Sequence, residues 1–166
     1  MDQAQGAIDA ARAAGAEQYA SDEYTAAVEA LKRAHDAVGQ NDYRLALNNA
    51  LDSRERAQNA ARQAADGKAQ TRGEVERTQP EVANLLTVLR ARIDLARKTR
   101  APRRLVTEAA ATLAAVETDV QKAGELVKTG DYLAARPLFR EARARIVKTI
   151  AGLDQATVTQ PQRRRR

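Results

Sequence analysis

The side chains best suited to chemistry are few and scattered. His35 is the single histidine, and the chain has no cysteine. Those two counts exclude a histidine pair on a metal, a thiolate ligand, a thiol nucleophile and a disulfide within this chain. Di-iron helical bundles carry a Glu three residues before each ligating His. Lys32 stands at that place before His35, so His35 reads as a helix-surface or hairpin residue. Glu17, Asp22 and Glu23 gather next to a predicted helix start, where negative charge meets the positive end of the helix dipole. No oxygen-rich loop accompanies them, as a calcium site requires. No glycine-rich phosphate loop is present. The expectation is a protein that is not an enzyme and has no catalytic, cofactor-binding or metal-binding residues and no cofactor.

The cations offer a different chemistry. Arg97, Lys98, Arg100, Arg103 and Arg104 carry five positive charges without an intervening acid, and the chain closes on Arg163, Arg164, Arg165 and Arg166. Together they suit a polyanion such as nucleic acid, an anionic lipid or a wall polymer. Arg97 to Arg100 equally suit a helix C-terminus, where cations complement the dipole. No aromatic or recognition-helix signature accompanies them for reading bases. The net charge is +6, of which the last four arginines supply four, so the remainder is nearly neutral. Tyr19, Tyr24, Tyr43 and Tyr132 recur near helix ends. They read as caps of a bundle, with the ring buried and the hydroxyl at the water boundary, rather than as a ligand cluster.

These side chains must be positioned by helices. The chain has 166 residues, enough for a continuous core, and is rich in Ala, Leu, Arg, Glu and Gln with few aromatics. Residues 3–14 read as a short Ala-rich helix that Gly15 weakens or ends. Ser21 is a suitable N-cap for a helix over 22–38, whose seam is Tyr24, Ala27, Leu31, Ala34 and Val38. Gly39 stops it and Asn41 caps the next. Tyr43, Ala46, Ala50, Ser53, Ala57, Ala60 and Ala64 then form a small-sided seam. Leu45, Leu47 and Leu51 lie off that seam and suggest a second contact. Gly67, Gly73 and Thr78-Gln79-Pro80-Glu81 favour a break or kink over 68–80. Val82, Leu85, Leu86, Leu89, Ile93 and Ala96 define a stronger helix over 81–99, ended by Ala101-Pro102. Helices over 103–129 and 131–153 follow, separated at Gly130, with Pro137 near the start of the second. No apolar run approaches the roughly 20 residues that span a bilayer.

A repeat organises these elements. Val38-Gly39-Gln40-Asn41-Asp42-Tyr43 recurs as Val127-Lys128-Thr129-Gly130-Asp131-Tyr132, with Asp131 lying 89 residues after Asp42. The predicted fold is all-α: an elongated up-and-down bundle of four to five helices built from two related hairpins. One helical domain is expected over 1–153, with hairpins at 22–66 and 103–153 and a helical connector at 68–100. A basic flexible tail is expected over 154–166. Leu86, Leu89 and Leu95 exceed what one seam needs and offer an apolar strip for a partner helix. Exposed heptads can pair two copies, or be satisfied within one chain.

Two resemblances bear on this reading. Gly130, Tyr132, Ala135, Phe139 and Ala142 resemble the second helix of a tetratricopeptide repeat, but the pitch of 89 residues is not the roughly 34 of that family; a shared hairpin solution explains the likeness. Ala13-Ala14-Gly15-Ala16-Glu17-Gln18-Tyr19-Ala20, Asp22-Glu23-Tyr24, Ala27, Leu31, Ala34, Asn41-Asp42-Tyr43, Ala46 and Ala50 are more specific. Over residues 4–66 they resemble Ala-rich helical-hairpin domains of unknown function found in bacterial envelope lipoproteins, sometimes beside OmpA-like domains. That resemblance implies a periplasmic or outer-membrane-associated protein whose natural precursor carries a leader. It implies a scaffold or protein-interaction role with an envelope protein as partner, and it brings no catalytic residues. The start Met1-Asp2-Gln3 has no basic, apolar leader of its own, and a cytoplasmic setting is the alternative. The electrostatic polyanion binder is the competing function.

Overall fold

The computed structural model describes residues 1–158, and among them every regular element is an α-helix. In chain order these are α1 (Asp2–Ala14), α2 (Ala16–Tyr19), α3 (Ser21–Gly39), α4 (Tyr43–Lys98), α5 (Arg103–Lys128) and α6 (Tyr132–Val158). α2 is a single turn; the other five are the long helices of the expected all-α bundle. Arg163, Arg164, Arg165 and Arg166 lie outside the described residues, as does most of the expected tail. Its first part, 154–158, continues α6 as helix, and Asp154 pairs with Arg92 at 3.4 Å.

The ends of α3, α4 and α5 share one device. The amide of Asp42 donates to the carbonyl of Ala37 at 2.9 Å, that of Ala101 to Ala96 at 2.9 Å and that of Asp131 to Leu126 at 2.8 Å. Each bond reaches back five residues over a left-handed residue: Asn41 at φ 60°, Arg100 at φ 58° and Gly130 at φ 81°. Asn and Gly adopt that conformation readily, and the closure satisfies a terminal helix carbonyl. Gly39 is thus the last residue of α3 rather than its stop. The cap that follows is Asp42, not Asn41. The Asp42 carboxylate accepts from the Leu45 amide at 2.9 Å, and Asp131 accepts from Ala134 at 3.0 Å. Ser21 likewise is the first residue of α3 and makes no cap hydrogen bond.

The largest departure from expectation is α4. It runs for 56 residues, through Gly67, Gly73 and Pro80; no break interrupts 68–80. Val75, Val82, Leu86, Leu89, Ile93 and Ala96 continue one buried face across the stretch. Tertiary burial outweighs the missing amide of Pro80 and the two glycines' weak helix propensity. Thr78 satisfies its hydroxyl within the helix by donating to the Glu74 carbonyl at 2.7 Å.

The sequence suggested one domain over 1–153; the contacts group the chain into two compact units, Met1–Gln70 and Thr71 onward. The division falls inside α4. The first unit contains α1, α2, α3 and the first half of α4. Its core is mostly alanine: Ala4, Ala11, Ala27, Ala57, Ala60 and Ala64, with Ile8, Tyr24 and Leu31 as the larger members. Such side chains allow close approach. Ser53, fully buried in the α3–α4 seam, donates to the Ala27 carbonyl at 2.8 Å. At Gly67 an added Cβ would stand 3.4 Å from Tyr19, so α2 rests against α4 there.

The second unit comprises the remainder of α4 with α5 and α6, and its core uses Val75, Leu89, Val116, Phe139, Ile146 and Leu153. Three ion pairs join α4 to α6: Glu74–Arg136 at 3.7 Å, Glu81–Arg143 at 3.3 Å and Arg92–Asp154 at 3.4 Å. The sequence separation is the same in each, so the two helices run parallel and in step. α5 lies antiparallel between them in the chain. It is tied to α4 by Arg90–Glu117 and to α6 by Arg145–Asp119, both at 2.7 Å.

Candidate docking face on the first hairpin

Leu86, Leu89 and Leu95, the predicted partner strip, are not brought together on a surface. Leu86 and Leu89 are buried in the core of the second unit, and only Leu95 is exposed. Both buried leucines are needed to fill the space between α4, α5 and α6, so they cannot also present an apolar face. Leu95 shares its exposed side with Val88 alone.

The apolar side chains left in water concentrate instead on the first hairpin. Tyr43 is 67% exposed, Leu47 59% and Leu51 53%. They are spaced four residues apart, which places them along one side of α4. Leu45 is exposed on another side of the same turn. The second contact that these off-seam leucines suggested is not made among the described residues. Tyr43 therefore departs from the expected buried ring; its hydroxyl donates to Asn41 at 3.2 Å. Tyr24 is the tyrosine that is buried, with Arg12 donating to its hydroxyl at 2.9 Å.

Comparison of the two hairpins explains why the stripe is bare. In the second unit α4 covers the matching side of α6, starting at the loop end: Arg72 lies over the Tyr132 ring at 5.7 Å, and Glu74 and Glu81 hold Arg136 and Arg143. In the first unit that role falls to α1, which reaches only as far as Gln3, accepting from Arg54 at 2.8 Å. Arg54 is the counterpart of Arg143 at the 89-residue spacing. Among the described residues, the turns of α4 between Tyr43 and Arg54 therefore have no third helix beside them. Nearby charges are otherwise largely paired within the chain: Asp52 with Arg33 and Arg56, and Glu23 with Arg56.

The cationic residues occupy the α4–α5 turn. Arg97, Arg100 and Arg103, with Ala101, Val106 and Thr107, line a concavity of about 510 Å³. Arg97 pairs with Asp94 at 3.3 Å and Arg104 with Glu108 at 2.7 Å; the Glu108 hydrogen bond raises the Arg104 pKa above its ordinary value. Lys98 is exposed at the end of α4. The turn thus gathers five cations, among them Arg97 and Arg104 facing carboxylates.

His35 is exposed on α3. Glu17 pairs with Arg12 at 3.0 Å and Glu23 with Arg56 at 3.6 Å, so these carboxylates serve ion pairs beside their helix starts. Among the described residues, no three His, Asp or Glu side chains are grouped as a metal site, and no helix is long and apolar enough to cross a membrane.

Residues 1–75 match a family described as a domain of unknown function, DUF4398. The match spans the first unit and ends a few residues into the second. The DUF4398-like region therefore holds α1, α2, α3 and the bare stripe of α4, while α5 and α6 lie beyond it. No curated protein and no solved structure matches the chain.

Proposed function

We propose that the protein is a non-enzymatic scaffold or interaction module that binds a protein partner by docking a helix face. The observation that carries this reading is the exposed stripe Tyr43, Leu47 and Leu51 beside a hairpin whose equivalent in the same chain is covered. Water-exposed leucines in series on an otherwise charged helix favour association. The sparse chemistry of the chain, with one histidine and no cysteine, also favours binding over catalysis. The setting we propose is the bacterial envelope, in a periplasmic or outer-membrane-associated form. It is supported by the resemblance of residues 4–66 to envelope lipoprotein domains, together with the DUF4398 match over residues 1–75.

The test compares the wild-type protein with a Leu47→Asp/Leu51→Asp variant in affinity capture from the envelope fraction of native cells. The variant should remain as helical by circular dichroism yet lose a defined partner. Identical recovery by both proteins would remove the stripe as the docking face. Intact-mass analysis of the native protein after fractionation tests the setting: an unprocessed cytoplasmic form would sink it.

One observation favours the second reading, an electrostatic polyanion binder: Arg97, Arg100 and Arg103 converge on one concavity. Phosphate binding by such a cluster weakens steeply with salt. Binding to duplex DNA or anionic vesicles that is unchanged by replacing these three arginines with Gln would dismiss it.

A further inference from the structure

The stripe on the first hairpin carries charges that point to its occupant. Arg44 and Glu55 flank Leu47 and Leu51 on the same side of α4, one before the leucines and one after. Neither forms an ion pair among the described residues, although Asp52 and Arg56 between and beside them do. Arg54, between Leu51 and Glu55, is engaged by Gln3; apart from it the order along the helix is cation, leucine, leucine, anion. Reversed and laid against itself, that order is complementary.

We infer that the occupant of the stripe is a second copy of this chain, with the two α4 helices antiparallel and crossing midway between Leu47 and Leu51. In that register Leu47 of each copy meets Leu51 of the other, and Glu55 of each lies one residue beyond the position opposite Arg44 of the other, within reach of its long side chain. The contact is isologous, so every favourable pair occurs twice and the assembly closes at two. A parallel pairing would set Arg44 on Arg44 and Glu55 on Glu55, which repel. The second hairpin is built against this association. At the 89-residue spacing Leu47 and Leu51 become Arg136 and Arg140, and Arg136 is already held by Glu74. Three turns of one helix offer less area than the roughly 1,200 Å² at which stable interfaces begin, so the dimer is weak and reversible.

The inference rests on the docking reading above and names its occupant. The experiment is sedimentation equilibrium of the whole chain over a concentration series, run in parallel with the capture assay. A monomer–dimer equilibrium is expected. Leu47→Asp/Leu51→Asp should weaken it by about two orders of magnitude, since each change acts twice. Arg44→Glu and Glu55→Arg should each weaken it by about fivefold, and the double exchange R44E/E55R should restore it. A protein that stays monomeric to about 1 mM, a dimer indifferent to L47D/L51D, or a double exchange that fails to rescue would overturn the inference. If the chain is monomeric while L47D/L51D still abolishes capture, this inference fails and the docking reading stands. If capture is unchanged while the dimer responds as described, the partner-docking reading fails and the self-association stands.

Discussion

Ser53 is the polar side chain that the α3–α4 seam of the first unit buries completely, and its hydroxyl is satisfied by the Ala27 carbonyl across the helix pair. That carbonyl also receives its own helical amide, so removing the hydroxyl leaves no orphaned acceptor. Ser53→Ala should therefore cost only about 1 kcal/mol, the net worth of a typical hydrogen bond, read as a lowered urea midpoint with unchanged slope. A larger apolar residue there should cost more, because the seam is lined by alanines with no room to give. The sequence placed Ser53 correctly on this seam by spacing alone. It misplaced the caps. Ser21, Gly39 and Asn41 are residue types that suit helix ends, but which of them serves depends on where the backbone turns left-handed, and that is settled by the five-residue closure onto Ala37. At both repeats the aspartate, Asp42 or Asp131, supplies the capping carboxylate.

At the scale of elements, α4 decides most of what was unexpected. A run containing Gly67, Gly73 and Pro80 reads locally as an interruption, yet all three lie within one helix. Local propensity argues over tenths to a few kcal/mol per residue, while the buried face from Val75 to Ala96 contributes more in sum. The compromise leaves testable weak points. Gly73 has open space where a Cβ would go, so Gly73→Ala should stabilise the protein by up to about 1 kcal/mol. Pro80→Ala should add a further gain by returning the amide that the Glu76 carbonyl lacks. Thermal unfolding followed by circular dichroism checks both, and a loss of stability in either would show that the helix needs its irregularity. The candidate site was partly legible at this scale. Leu45, Leu47 and Leu51 stood off the seam in the sequence, which marked them for some second contact. What the sequence could not reveal is that no helix among the described residues makes it, because the reach of α1 depends on how it lies against Arg54. The strip at Leu86, Leu89 and Leu95 failed for the converse reason: two leucines in excess of one seam were absorbed by two neighbours, α5 and α6.

For the whole molecule, the two units share a hairpin plan but differ in the size of what they bury. The first closes over alanine and the second over Val, Leu, Ile and Phe. Apolar burial scales with side-chain area, so the second unit should be the more resistant to opening. Hydrogen exchange can read this within one helix. Amides over 46–64 should exchange at least about ten times faster than those over 75–96, and equal rates would contradict a stability set by core size. Composition announced an alanine-rich bundle, and the small-sided seam over 43–64 beside the larger one over 82–96 made this partition legible in the sequence; the division of α4 between two units was not. The alanine core of the first unit has one more consequence, which concerns temperature. The heat capacity gained on unfolding tracks the apolar surface that becomes hydrated. An alanine-lined seam holds back little such surface, and its side chains surrender almost no rotational freedom on folding. The first unit therefore has a shallow stability curve: modest at its best temperature, and nearly level as the surroundings warm or cool.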